Sequence, residues 1–137
     1  MRIEAKHDLS AEDGFAIEER LYEFNREAIG VDDGEGLGFI MRDDSGLVVG
    51  AALGYTWAGI SELRQMWVET RHRGNGYGRA LLDAFVAEAA RRGVKRVWLQ
   101  SHDFQAPAMY EKAGFVRMAE LKDFPLGYTN VILCKVL

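Results

Sequence analysis

The segment Arg71–Ala80, with the sequence RHRGNGYGRA, carries the residue pattern with the clearest chemical meaning in this chain. Gly74, Gly76 and Gly78 stand at alternate positions, and a glycine lets the backbone approach a ligand closely because it has no Cβ. Three arginines surround these glycines, and a helix-like segment follows them. A helix N-terminus favours anions because its N–H groups and its dipole point outward. The segment therefore predicts a binding site for a phosphate-rich ligand.

The spacing argues against two common nucleotide sites. A dinucleotide fingerprint needs a third glycine where Arg79 stands, and an acidic residue about twenty positions further on. Val94 and Lys95 occupy that later region. A P-loop would end in Gly-Lys-Ser or Gly-Lys-Thr, which the segment lacks. What remains is Arg73-x-x-Gly76-x-Gly78 between a strand and a helix, with an ordinary glycine-rich loop as the alternative interpretation.

Length, charge and residue composition restrict the classes of protein to which this chain can belong. The 137 residues fit one domain, and a formal net charge of −4 argues against a general nucleic-acid binder. The single cysteine, Cys134, excludes an internal disulfide and is expected to be a buried thiol. The three histidines lack metal-ligand spacing, so no metal is predicted. Charges near the N-terminus and the lack of a long apolar run predict a cytoplasmic protein without a signal peptide or membrane span.

The pattern of apolar residues and turn residues predicts a mixed α/β fold. In chain order it predicts an edge strand at 1–7, a helix from Ser10 to Gly30, strands at 37–42, 47–57 and 60–68, a helix at 80–92, a strand at 94–100, a short helix at 105–113, and strands at 115–121 and 128–137. A strand that is entered from a helix is expected to run parallel to the strand before that helix.

A second motif lies nearer the C-terminus, at Tyr110-Glu111-Lys112-Ala113-Gly114-Phe115. Together, in this order, the two motifs resemble those of the GCN5-related N-acetyltransferases, the GNAT superfamily. The resemblance covers roughly residues 37–137, and the C-terminal residues are similar to small single-domain members. It implies one domain over residues 1–137, with an antiparallel meander, a parallel strand pair and a C-terminal hairpin.

The resemblance also implies an activity and its substrates. The activity is acetyl transfer from acetyl-CoA to a primary amine of a small molecule or peptide, by direct attack in a ternary complex. No membrane or nucleic-acid partner is implied, and a homodimer is left open. The alternative from another class is a non-catalytic acyl-CoA-binding or interaction module with the same fold.

Cofactor-binding roles follow from the resemblance residue by residue. The backbone of the strand before the glycine turn would bind the pantetheine arm, and the turn amides would bind the pyrophosphate. Asp103 stands where the family often has an asparagine that contacts pantetheine; aspartate lacks that amide donor. The implied cofactor-binding residues are Met66, Trp67, Val68, Arg73, Gly74, Asn75, Gly76, Tyr77, Gly78, Arg79 and Asp103.

Two residues are candidates for proton transfer. Tyr110 matches the family tyrosine that lies near the cofactor sulfur and acts as general acid. Glu62, on the strand before the turn, is the candidate base for the amine. Strand alternation puts Glu62 and Arg64 on one face, so an ion pair between them is an equally good interpretation of Glu62.

Overall fold

The computed structural model describes all residues, 1–137, and the chain forms two compact units, Met1–Asp32 and Asp33–Leu137. None of its helices is both long enough and apolar enough to cross a membrane. The expectation of one domain over residues 1–137 stays a prediction.

The first unit contains one helix, α1 (Ala11–Ile29). Ser10 Oγ accepts a hydrogen bond from Asp13 N at 3.2 Å, and Asp13 Oδ2 accepts one from Ser10 N at 3.0 Å. This capping box confirms the predicted helix start, and Gly30 ends the helix in a left-handed conformation. The predicted strand at 1–7 is wrong, because residues 1–10 form no regular structure. A strand needs a neighbour for its backbone hydrogen bonds, and this unit contains no second strand.

The second unit is a six-stranded mixed sheet with two α-helices. Its elements are β1 (Glu35–Arg42), β2 (Val48–Trp57), β3 (Ile60–Val68), a short 3-10 helix (Thr70–His72), α2 (Tyr77–Arg91), β4 (Arg96–His102), α3 (Pro107–Lys112), β5 (Val116–Lys122) and β6 (Thr129–Val136). The strand order is β1-β2-β3-β4-β6-β5, and only the pair β3–β4 is parallel. The predicted mixed α/β fold, its parallel pair and its C-terminal hairpin are confirmed.

The core lies between one face of the sheet and its helices. Leu82, Phe85 and Ala89 of α2 are fully buried, as are Val97 and Leu99 of β4. On α2 these positions follow the helical period, and on β4 they alternate with exposed or half-buried residues, so each element turns its most buried face to the core. Burying each large apolar side chain contributes about 1.5–3 kcal/mol. This packing fixes α2 on the sheet and thereby fixes where its N-terminus lies.

An irregularity in β3 separates that strand from β4. Leu53 of β2 pairs with Gln65, while the next residue, Gly54, pairs with Leu63, so Arg64 is an extra residue on β3. A Cβ on Gly54 would lie 1.8 Å from the Glu62 carbonyl oxygen, so only glycine fits this close approach. The parallel pairing with β4 ends at Leu63, although both strands continue. A gap therefore opens between the ends of β3 and β4.

The far end of α2 is tied to the edge of the meander. Arg92 Nη1 donates to the Gly36 carbonyl at 3.0 Å and to Thr56 Oγ1 at 3.1 Å. Its Nε donates to Glu88 at 3.0 Å, and Arg91 donates to the same carboxylate at 2.6 and 2.7 Å. These hydrogen bonds lower the pKa of Glu88 to about 2. The C-terminal end of the helix is thus held by charge-assisted bonds, while its N-terminal end has none from a capping side chain.

Candidate active site

The glycine turn connects the 3-10 helix to α2 and depends on backbone conformation. Gly74 and Gly76 have φ values of 78° and 81°, a region that residues with a side chain rarely adopt. No atom lies within 4 Å of a Cβ built on either residue, so the restriction comes from φ and not from crowding. Gly76 is also the N-cap residue of α2. The predicted strand–turn–helix context of this motif is confirmed.

Polar side chains of the turn brace its own backbone. Arg73 Nε donates to the Val68 carbonyl at 2.8 Å. Asn75 Nδ2 donates to the carbonyls of His72 and Arg73 at 3.1 and 3.3 Å. Asn75 therefore supports the turn and does not cap the helix. Because α2 has neither a side-chain cap nor an acidic residue in its first turn, its first N–H groups are left for an anion.

The arginines around the turn differ in what they contact. Arg71 is 61% exposed at its side chain and donates to Glu69 at 3.1 Å. Arg79 Nε donates to Asp83 at 2.9 Å, one turn further along α2. Arg73 and Arg79 line the cleft described next, whereas Arg71 does not. Two of the three arginines thus bring positive charge to the cleft.

A cleft of about 1140 Å³ occupies the gap between β3 and β4 and extends to the glycine turn and α3. The structure brings together ten of the residues predicted for the site along its walls: Met66, Trp67, Val68, Arg73, Gly74, Gly76, Tyr77, Gly78, Arg79 and Tyr110. Met66, Trp67 and Val68 pair with β2 on one side only, since the β4 pairing has already ended. Main-chain groups of this strand therefore face the cleft.

Three residues predicted for the site lie outside the cleft lining: Asn75, Asp103 and Glu62. The backbone N of Asp103 donates to the Thr129 carbonyl at 2.9 Å, and its carboxylate accepts from Thr129 N at 3.0 Å. The residue thus joins the end of β4 to the start of β6. The cofactor contacts of Asn75 and Asp103 stay predictions, and the structure shows each of them in a bracing role.

Tyr110 lies on α3 and reaches the cleft from the helix side. Its side chain is buried, with 6% of the residue exposed, and its ring meets the Phe115 ring edge-on at 6.0 Å between centroids. Burial raises the pKa of the Tyr110 phenol to about 12, because the phenolate would lose its hydration. The hydroxyl therefore carries its proton at neutral pH and can donate it.

Glu62 forms an ion pair with Arg64, which was one of the two interpretations of Glu62 from the sequence. Arg64 Nε donates to Glu62 Oε2 at 3.2 Å, and the Glu62 side chain is 15% exposed. The Arg64 guanidinium also lies 4.7 Å from the centre of the Tyr55 ring. Burial and a hydrogen bond with Glu62 raise the pKa of the Tyr55 phenol. The pair exists, and the role of Glu62 as a base stays a prediction.

Other cleft residues were not predicted from the motifs. Six of them come from the end of β4, the loop that follows it and α3: Gln100, Ser101, Phe104, Gln105, Ala106 and Met109. The others come mainly from β2 and β3, among them Arg64. For the six, the available signal was their position, since side chains at the carboxyl ends of parallel strands commonly form sites. Phe104 is the aromatic side chain that the loop after β4 places on the cleft wall.

Comparison with known proteins agrees with this geometry. Residues 3–115 match the family model described as Acetyltransferase (GNAT) family. The chain is 29% identical over 112 residues to Acetyltransferase Atu2258 of Agrobacterium fabrum, which covers 82% of each protein. It is 30% identical over 95 residues to the Blasticidin-S acetyltransferase of Streptomyces morookaense, covering 69% of this chain and 70% of that one.

A solved structure extends the likeness to the whole chain. The crystal structure of an Agrobacterium tumefaciens protein assigned as an acetyltransferase matches with a TM-score of 0.90 at 26% identity, covering 100% of both chains. The family model, the curated relatives and the fold all point to the same activity. The chain belongs to the GNAT family and is an acetyltransferase.

Proposed function

We propose that this enzyme transfers the acetyl group of acetyl-CoA to a primary amine of a small molecule or peptide, with both substrates bound together. The observation that carries the proposal is the continuity of one cleft. Its walls include the glycine turn and the start of α2, which has no side-chain cap, and also the protonated Tyr110. A single cavity thus contains both a site suited to an anionic cofactor and a proton donor.

The residues present suit coenzyme A. The turn amides from Gly74 to Arg79, with the two cleft-lining arginines, suit a pyrophosphate. Hydrogen bonds to a charged group contribute roughly 1.5–3 kcal/mol each. The main-chain groups of Met66–Val68 that face the cleft suit the amide-bearing pantetheine arm. Acetyl-CoA supplies an activated thioester, and the chain supplies binding and proton transfer.

The proposed reaction assigns a proton transfer to each candidate residue. The neutral amine forms a C–N bond with the acetyl carbonyl carbon, and the C–S bond breaks. Tyr110 donates the proton that the departing sulfur needs. Glu62 takes the proton released by the amine. Arg64 and Tyr55 contact the Glu62 carboxylate and hold it in place. Because Glu62 lies outside the cleft lining, a water molecule would carry the proton to it.

The proposed acceptor is a primary amine. The relative from Streptomyces morookaense is named Blasticidin-S acetyltransferase. We infer that the acceptor of this chain is likewise a compound carrying an accessible amine. A cytoplasmic location, a homodimer and the lack of a nucleic-acid partner stay predictions.

Release of free thiol from acetyl-CoA, measured across a panel of primary amines, tests the proposal. We expect thiol release that depends on both the enzyme and the amine, together with a mass increase of one acetyl group on the amine. Acetyl-CoA should also raise the melting temperature, because a ligand at a hundredfold excess over its Kd stabilises the native state by about 2.7 kcal/mol. Stabilisation by acetyl-CoA without acetylation of any amine would instead support a non-catalytic acyl-CoA-binding protein.

A further inference from the structure

Four side chains form a cluster beside the cleft, which we call the aromatic rim: His102, Phe104, Phe124 and Tyr128. The His102 and Phe104 rings are stacked at 5.1 Å with an angle of 8° between their planes. Phe124 meets His102 edge-on at 5.7 Å, and Tyr128 meets Phe104 edge-on at 5.0 Å. These are the two arrangements that aromatic rings prefer, stacked and edge-to-face.

Hydrogen bonds hold the histidine of the rim in one orientation. His102 Nδ1 lies 2.9 Å from the Phe124 carbonyl, and since a carbonyl only accepts, Nδ1 carries the proton. The backbone N of His102 donates to Gln105 Oε1 at 2.8 Å. The side chain and the backbone of His102 are therefore each held by a hydrogen bond.

The loop that carries Phe124 and Tyr128 is also fixed. Tyr128 N donates to the Pro125 carbonyl at 2.8 Å, and Phe124 N donates to the Tyr128 carbonyl at 3.2 Å. Gly127 N donates to the Asp123 carboxylate at 3.1 Å. The paired hydrogen bonds between Asp103 and Thr129 then attach the base of this loop to the end of β4. Pre-organised rings of this kind lose little conformational entropy when they bind a ligand.

The rim is exposed although it is rigid. Phe104, Phe124 and Tyr128 are 56%, 52% and 49% exposed, and Phe104 also lines the cleft. Clustered apolar side chains left in water next to a cavity commonly mark a binding site. The two nearby carboxylates, Asp103 and Asp123, are each bound to a backbone N–H. What the rim offers a ligand is therefore chiefly ring surface.

We propose that the aromatic rim binds a flat aromatic or heteroaromatic group of the acceptor amine and so sets acceptor specificity. This inference rests on the proposed function, because it names the acceptor class of the same cleft. Phe104 joins the rim to the cleft, so a ring on the rim and an amine in the cleft can belong to one molecule. An added aromatic contact of this kind favours the flat acceptor by about three- to tenfold over a non-aromatic acceptor of equal size.

Benzylamine and cyclohexylmethylamine make a matched pair of probes, since they share a carbon count and differ in aromaticity. We expect kcat/KM, compared at equal concentrations of neutral amine, to favour benzylamine at least threefold in the wild type. Phe104→Leu, at an exposed position, should bring this ratio close to one. Leu126→Ala alters an exposed residue of the loop between β5 and β6 that carries Phe124 and Tyr128; Leu126 is 85% exposed, and the change should leave the ratio unchanged. A wild-type ratio near one, or a ratio that Phe104→Leu does not change, would overturn the proposal.

A binding experiment keeps the inference testable if neither probe is acetylated. Benzylamine titrated into the protein in the presence of coenzyme A should shift the backbone amide resonances of residues 102–105 and 124–128. Cyclohexylmethylamine should shift them less, and Phe104→Leu should weaken the benzylamine effect. Shifts at the rim without acetylation of any amine would count against the proposed function alone. Rim amides that do not shift would contradict the proposed binding of aromatic groups at the rim, even if the enzyme acetylates other amines.

Discussion

The glycine turn and the aromatic rim represent two different ways of building a binding surface. The turn is made within consecutive residues, and Arg73 and Asn75 use their side chains to brace their own backbone. Its binding groups are main-chain amides. The rim joins two segments, around residues 102–104 and 124–128, and its groups are side chains. A surface of amides suits a constant cofactor, whereas a surface of side chains can change with the acceptor and leave the fold intact.

Tyr110→Phe should give the largest effect, because Tyr110 is the proposed proton donor of the reaction that both surfaces are proposed to serve. The variant keeps the ring that packs on Phe115 and removes only the hydroxyl. We expect kcat to fall by about 10²–10⁴-fold with little change in the affinity for acetyl-CoA. Because the pKa of the phenol is raised to about 12, the wild-type rate should show no loss from Tyr110 ionisation below about pH 11.

Single-turnover kinetics together with acetyl-CoA titration would check this prediction. Single-turnover measurements matter because slow product release can hide a change in the chemical step. An unchanged single-turnover rate in Tyr110→Phe would give the residue a packing role only.

Glu62→Gln tests the acceptor side of the reaction. If Glu62 is the base, kcat should fall by about a hundredfold at neutral pH and recover partly at high pH, where more of the amine is already neutral. The matched control is Arg64→Met, which breaks the same ion pair but leaves the carboxylate. That control should lower the melting temperature, and it should lower kcat much less than Glu62→Gln does, because the carboxylate remains.

A different pattern would follow from a purely structural pair. In that case Glu62→Gln should lower the melting temperature and leave the pH–rate profile parallel to that of the wild type. Arg64→Met in the same chain should then restore part of the lost stability, because the negative charge that faced Arg64 is gone.

Gly76→Asp and Gly76→Asn introduce side chains of similar shape that differ in charge, and so they test whether the glycine turn binds the pyrophosphate. Both side chains tolerate a positive φ better than most, and both meet open space at this position, so the two variants share any backbone strain. Only aspartate places a negative charge beside the proposed pyrophosphate site. We expect Gly76→Asp to weaken acetyl-CoA binding about 10- to 100-fold relative to Gly76→Asn, as measured by calorimetry. Equal affinities of the two variants for acetyl-CoA would show that the pyrophosphate does not bind at this turn.

Glu88→Gln should weaken the hydrogen bonds that hold the C-terminal end of α2. It should leave both proposed binding surfaces unchanged. The folded-state pKa of Glu88, about 2, lies below the ordinary value of 4.5. Its stabilising effect is therefore complete above about pH 4.5 and is lost as the pH falls toward 2. We expect Glu88→Gln to lower the melting temperature at pH 7 and the difference from wild type to shrink below pH 4.5. A difference that stays constant down to pH 2.5 would contradict this assignment, and acetyl-CoA affinity should be unchanged throughout.

The sequence by itself determined the local elements. The capping box at Ser10, the turns at Asp43–Gly46 and Ala58–Gly59 and the helical stripe of α2 follow from short-range hydrogen bonding and periodicity, which depend on residues close in the chain. The glycine turn was predictable for the same reason. The strand predicted at 1–7 failed, because a strand needs a partner that no local pattern supplies.

Only the tertiary structure decided how the site is completed. The extra residue Arg64 opens the gap between β3 and β4, and sequence alternation alone does not reveal a bulge. The orientation of Asp103 toward Thr129 and the contact of Phe104 with Tyr128 each depend on segments distant in the chain. Such contacts arise when the strands pair, and their energies depend on distances that exist only in the folded sheet.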